Sequence, residues 1–306
     1  MKRATFVIVA VSVFLLGGFF YYQYSEKERH KFKVVFLNVG QGDATIIQFE
    51  NGEKMLVDCG PDRAILSALG RNLAFYDRTI DYLLISHPDL DHYGGCIDVL
   101  KNYQVKEILT NGKEKNYDAY FNEWKNASAR YSNVVAEVST TMSVDFSTFQ
   151  FFSPDAGLSF KNKISDNDYS VVFRLEHGGE SFLFTGDMEE ALEKLLVEKY
   201  CGSILSSRAV VGGSLLPTER DSSTSSLRDY GRNDNCVFQS DILKVGHHGS
   251  DGSSSELFIS RVHPEEAVIS VGKNKFGHPG LRAIRHLERA GAKIIRTDET
   301  GDIVFN

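Results

Sequence analysis

"SHPDLDHYGG", residues 86–95, follows the apolar run "DYLLI" and places His87, Asp89, Asp91 and His92 within six positions. A strand running into a loop sends alternate side chains to one side. His87 and Asp89 can then face one cation while Asp91 and His92 turn toward a second. Aspartates packed this closely repel if they are buried without compensation, and a cation between them removes that conflict. Imidazole nitrogen with carboxylate oxygen suits zinc, manganese or iron. Taken alone, the stretch can also be read as a solvated polar loop whose aspartate caps the following helix.

The same residue types recur at the ends of other apolar runs. "MLVDCGP" ends on Asp58, "FLFTGDM" on Asp187, "ILKVGHHGS" on His247 and His248, and "KFGHPG" on His278; Asp43 sits in the turn "GQGD". Each alone can be a turn residue or a loop histidine. Together they fit a metal site, because loops at strand ends are where α/β folds collect their chemistry.

Between these points the chain reads as strands interleaved with helices. "KVVFLNV", "DATIIQF", "KMLVDCG", "DYLLIS", "VKEILT", "STFQFFS", "YSVVFRLEHGGESFLFTG", "CVFQSDILKVG", "EAVISVG", "KIIRT" and "GDIVF" are rich in β-branched and aromatic residues, the seventh being a hairpin turning at "HGG". "RAILSALGRNLAF", "YGGCIDVLKNY", "YDAYFNEWKNASARY", "EEALEKLLVEKY" and "GLRAIRHLERAG" have helical spacing. This predicts a layered α/β fold, two facing sheets with helices outside. Residues 202–235 are Ser/Gly-rich and carry both charge signs, which predicts a long loop insertion, either covering a site or without a role.

Residues 4–22, "ATFVIVAVSVFLLGGFFYY", contain no charge and follow Lys2 and Arg3. As a helix they would span roughly 28 Å, close to the bilayer core. Residues 1–23 are read as an uncleaved membrane anchor, with a cleaved signal peptide or a buried helix as alternatives, and 24–32 as a polar linker to a domain over 33–306. The expected location is membrane-anchored with that domain outside the cytoplasm, or secreted if the segment is removed. A disulfide between Cys201 and Cys236 fits an oxidising compartment, and two unrelated thiols are the alternative. The net charge of -7 argues against binding nucleic acid through bulk charge, so any such contact needs a local basic groove or metal ions.

The ordered set "FLNVGQGDATII", "LVDCGP", "LLISHPDLDHYGG", "NDYSVVFRL", "FLFTGDM", "LKVGHHGS", "AVISVG" and "FGHP" resembles the metallo-β-lactamase superfamily. Within it, the set is similar to the hydrolase domain of ComEC-type DNA-uptake (competence) proteins. The resemblance implies a four-layer αββα sandwich over residues 33–306 with a site for two divalent metal ions, zinc or manganese, with magnesium also compatible. The superfamily pattern H-x-H-x-D-H becomes His87-Pro88-Asp89-Leu90-Asp91-His92, with Asp89 in place of the second histidine. The resemblance implies His87 and Asp89 for one metal, Asp91 and His92 for the other, and Asp187 bridging. His247 is the implied last histidine ligand, with His248 the alternative. The third histidine has no counterpart; Asn167 or Asp168 in "SDNDYSVV" takes its place, which implies a poorer, more oxygen-rich first site. Asp43 and Asp58 are expected to orient ligands from behind.

The implied activity is metal-dependent hydrolysis of DNA or another phosphodiester by a metal-activated hydroxide. His278, or whichever of His247 and His248 is not a ligand, would supply the leaving-group proton. Hydrolysis of a lipid, wall-polymer or small-molecule ester, and a non-catalytic anchored domain with a decayed site, are the competing expectations. The multi-helix channel of the full-length family is not found in these 306 residues. The resemblance therefore implies the hydrolase rather than import itself, with a separately encoded channel as an expected partner.

Overall fold

The computed structural model describes residues 2–115, 119–155, 165–201 and 236–306; the insertion expected at 202–235 lies outside the described residues. Among the described residues fourteen strands form two sheets of seven. The first sheet contains β1 (Lys33–Phe36), β2 (Thr45–Gln48), β3 (Lys54–Val57), β4 (Thr79–Ile85), β5 (Gln104–Thr110), β6 (Ser132–Val135) and β14 (Ile303–Phe305), in the order β14-β1-β2-β3-β4-β5-β6. The second contains β7 (Thr141–Val144), β8 (Ser147–Ser153), β9 (Val172–His177), β10 (Glu180–Phe184), β11 (Ile242–Lys244), β12 (Glu266–Ile269) and β13 (Lys293–Arg296), ordered from β13 back to β7. β3, β4 and β5 run parallel, as do β10 to β13.

The sheets face each other because their strands are apolar on both sides. Val34, Phe36, Ile47, Met55, Leu84, Phe173, Phe182 and Ile242 fill the core between the sheets. Their strand neighbours Val35, Ile46, Leu56 and Leu83 turn outward, under α2 (Ala64–Asn72), α3 (Leu90–Tyr93), α4 (Cys96–Asn102) and α5 (Ala119–Ser128). Val172, Leu183, Leu243 and Ala267 pack under α6 (Glu190–Tyr200), α7 (Glu256–Val262) and α8 (Leu281–Ala290) on the other side. The period-2 alternation thus builds a helix–sheet–sheet–helix sandwich, the αββα architecture the sequence implies.

At the amino terminus α1 (Lys2–Arg29) contains a stretch, Thr5–Tyr24, long and apolar enough to cross a membrane. The helix runs on through residues 24–29, which the sequence reading assigns to a linker. The strand expected across residues 236–246 is shorter; only Ile242–Lys244 pair, after a turn. All four cysteines are bonded, Cys59 to Cys96 and Cys201 to Cys236.

Glu193 on α6 is buried and accepts hydrogen bonds from the backbone N–H groups of Ser254 and Ser255, where α7 begins. Burial pushes its pKa up to about 7. The folded state therefore holds a proton that the unfolded chain releases near pH 4.5, so stability present below that point is lost as pH rises to about 7. Urea unfolding at pH 5 and pH 7.5 should show a fall of up to about 3 kcal/mol, at 1.36 kcal/mol per unit. Glu193→Gln should flatten that slope.

Candidate metal centre

The site residues gather at one edge of the sandwich, in loops and short helical turns after the strands; Asp91 and His92 lie in the one-turn helix Leu90–Tyr93 and His247 and His248 in the turn Gly246–Gly249. The three loops of the first sheet are laced by their backbones: Asp43 N–H donates to Asp91 O (3.2 Å), Cys59 N–H to His92 O (2.7 Å) and Gly60 N–H to Asp43 O (2.7 Å). Gly94 and Gly95 permit this lacing. A Cβ on either would run into the carbonyl oxygens of Pro61 or Cys59. Asp58 adopts a positive φ of 57°, a conformation uncommon outside glycine and one that clusters at functional sites. Its carboxylate accepts from Ser86 N–H (2.7 Å) and Ser86 Oγ (2.7 Å) and lies 2.8 Å from His92 Nδ1. The pairing holds the proton on Nδ1 and turns the free Nε2 inward.

The inward-facing atoms converge. His92 Nε2 is 3.3 Å from Asp187 Oδ1, and His248 Nε2 is 3.3 Å from Asp91 Oδ2 and 3.6 Å from Asp187 Oδ2. His87 Nε2 stands 4.0 Å from Asp187 and 3.9 Å from Asp89. His87, His92, His248 and Asp187 are buried. The three Nε2 atoms and Asp187 Oδ1 have no hydrogen-bond partner. Buried polar atoms are rarely left so. A divalent cation held at about 2.1 Å by nitrogen and oxygen spaces its tetrahedral ligands about 3.4 Å apart, close to these separations. The donors fit such an ion. Among the described residues four groupings are close enough to take one: His87–His92–Asp187, Asp91–His92–His248, Asp43–Asp58–His92 and Asp43–Asp187–His248; the first two hold the inward-facing Nε2 atoms of His87 and His248 together with that of His92.

Electrostatics follow the same geometry. Burial, with His92 alongside, pushes His87 down to about 3, so it is neutral at ordinary pH. Burial opposes protonation of His248, but Asp187 and Asp43 outweigh it and push it up to about 10. Asp187 is held well below the usual carboxylate range by His92 and His248 despite its burial.

Several sequence expectations change place. Both histidines of "GHHG" have left-handed backbones, φ 48° and 53°. It is His248, not His247, whose ring enters the cluster, its Nδ1 donating to Ser270 O at 2.9 Å. His247 remains about a quarter exposed, with Nδ1 3.1 Å from Glu189 Oε1 and Nε2 3.9 Å from Asp187. Asn167 does not join the donors; its amide donates to Glu189 at 3.0 Å. Asp168 turns away to accept from Glu189 N–H at 3.0 Å. Asp89 ion-pairs with Lys115. His278 lies outside the cluster, its ring 5.4 Å from that of His247. Asp43 is buried behind the donors, 3.4 Å from His248 Nδ1 and ion-paired with Lys244.

Lys244, Ser86, Glu189 and Lys115 were not foreseen as part of the site. Lys244 did leave a signal: a cation inside the buried run "ILKV". By strand alternation it shares the inter-sheet side with Ile242.

A model of the metallo-beta-lactamase superfamily matches residues 37–273. ComE operon protein 3 of Bacillus subtilis is 27% identical over 295 residues, covering 89% of this chain and 33% of that protein. Competence protein ComA of Neisseria gonorrhoeae is 30% identical over 297 residues, 96% of this chain and 35% of that one. The chain thus spans about a third of the length of these relatives. Among solved structures, the metallo-beta-lactamase fold protein YhfI from Bacillus subtilis superposes with a TM-score of 0.51 at 12% identity, over 90% of this chain and 99% of that one.

Proposed function

This chain belongs to the metallo-β-lactamase superfamily, and from that premise we propose that it is a metal-dependent phosphodiesterase acting on DNA outside the cytoplasm, held at the membrane by α1. The observation that carries this reading is the convergence of unpartnered Nε2 atoms of His87, His92 and His248 on Asp187. The designation of the Neisseria gonorrhoeae relative as a competence protein supports DNA over a lipid, wall-polymer or small-molecule ester. Lys113, over the Tyr169 ring, and the exposed Lys273 and Lys275, in the loop that carries His278, supply local positive charge against the net charge of -7. Two disulfides support an oxidising compartment.

Asp91, His92, His248 and Asp187 would hold one divalent cation. His87, Asp89 and Asp187 would hold a second more weakly, because Lys115 already occupies Asp89. Zinc or manganese suits the first donor set, and manganese or magnesium the second. When bound, such ions polarise a phosphoryl oxygen and lower the pKa of water toward about 7. The chain's own groups do the rest. Asp58 and the Ser270 carbonyl orient the His92 and His248 rings. Glu189 keeps the proton on His247 Nδ1, so that Nε2, on the Asp187 side, can exchange a proton with the leaving oxygen. His278 stands one ring further out as the other candidate donor. A separately encoded channel would be the partner if the cleaved strand is imported.

The test is to strip the full chain of metal in detergent, reload it with manganese, zinc or magnesium, and offer single- and double-stranded DNA beside bis(p-nitrophenyl) phosphate. Metal-restored DNA cleavage is expected. Turnover of the small diester without DNA cleavage would remove the nuclease assignment. Neither turnover nor stoichiometric metal would leave an anchored binding domain.

A further inference from the structure

The loop after β12, residues 272–280, is not used by the ligand cluster, yet it borders it. Phe276 is 65% exposed there. Its ring stacks on His278 at 5.8 Å and 25°, and His278 meets His247 at 5.4 Å. A series of flat rings thus leads from the surface to the edge of the metal centre.

The loop is fixed by Asn274. Its Oδ1 accepts from the N–H groups of Phe276 (3.1 Å), Gly277 (3.0 Å) and His278 (3.0 Å). Its amide donates to Gly272 O and His278 O, both at 2.9 Å. Phe276 is therefore held outward by a side-chain hub, and a ligand stacking on it pays little to order the loop. Lys273 and Lys275 are both exposed in the same loop, and Lys275 Nζ lies over the Phe276 ring, 5.7 Å from its centroid, a cation–π contact that a base would replace.

From this arrangement we infer that Phe276 is a stacking platform for an unpaired nucleobase, with Lys273 and Lys275 on the flanking phosphates. The substrate class it selects is single-stranded nucleic acid. The inference rests on the phosphodiesterase reading and deepens it. An aromatic face beside cations is the combination that binds single strands without reading sequence. In a duplex the base faces are already stacked on their neighbours. A base on Phe276 would set its phosphate one ring-step inward, beside His278 and His247. A wall polymer of polyol phosphate has no flat face to offer and would use the lysines alone.

The test uses the full chain carrying Asp187→Asn, to stop turnover, with a short single-stranded oligonucleotide containing 2-aminopurine. Stacking should quench the fluorophore. Adding Phe276→Ala should abolish the quench and weaken binding roughly ten- to a hundredfold, while Phe276→Trp should preserve both. Binding and quenching unchanged in Phe276→Ala would overturn the platform. So would equal weakening of a blunt duplex or of a polyol phosphate. Wild-type turnover of bis(p-nitrophenyl) phosphate is measured in parallel. Its absence would fail the hydrolase reading separately, since the quench needs no catalysis.

Discussion

Asp187→Asn should lower phosphodiester turnover at least about a thousandfold, a barrier increase of about 4 kcal/mol. No other described carboxylate in the site faces as many nitrogens. Its two oxygens lie within 3.3–4.0 Å of nitrogens on His87, His92, His247, His248 and Lys244. Asparagine keeps the shape and one acceptor but removes the charge that both donor groups share. The substitution should therefore also reduce bound metal below one equivalent, measured by elemental analysis after dialysis against a weak chelator. Far-UV circular dichroism should be unchanged, because Asp187 belongs to a loop and the strands beside it are packed by Phe184 and Leu183. Full turnover with normal metal content would remove Asp187 from the centre, and with it the proposed mechanism.

The sandwich was legible because its strands are buried on both faces. Runs such as "KMLV" and "YLLI" need apolar residues at every position when one parity fills the inter-sheet core and the other lies under helices. The pattern fails where that constraint is absent. β6 is largely exposed and β7 partly so, so "SNVV" and "TMSV" carry no such run. α7 is only seven residues long and starts from a Ser255 cap within a serine stretch, too short for a helical period to stand out. Among the site residues, those set by strand ends were legible. His87 and Asp187 lie two and three residues past the ends of the apolar strands β4 and β10, and His92 follows in the same motif as His87. The choice between His247 and His248 was not, because two consecutive left-handed residues rotate the backbone out of strand alternation. Nor could the departure of Asn167 and Asp168 be read, since each is claimed by Glu189 on a neighbouring segment. The Cys59–Cys96 bond joins two motif loops that only the fold brings together.

Lys244→Met should destabilise the protein by about 3–5 kcal/mol, the usual cost of stranding a buried charge. The lysine is fully enclosed between the sheets. Its ammonium contacts Asp43, donates to Gly186 O at 2.8 Å and stands 3.8 Å from Asp187. Burial alone would drive its pKa down; Asp43 and Asp187 more than offset this and hold it above its ordinary value. Methionine fills the same space but leaves Asp43 without its cation and the Gly186 carbonyl without its donor. The loss should appear in urea unfolding with chelator present, where no metal ion can substitute for the ammonium. Asp43→Asn added to Lys244→Met should recover part of it, because the stranded charge is then gone, and the double-mutant cycle isolates that coupling. A single-variant loss under about 1 kcal/mol would mean that Asp43 finds its counter-charge elsewhere, in His248 at 3.4 Å or His92 at 3.8 Å. A loss of the predicted size with recovery in the pair would make Lys244 the permanent cation of the site. It would allow three buried aspartates, Asp43, Asp58 and Asp187, to sit behind and within a donor set before any metal arrives.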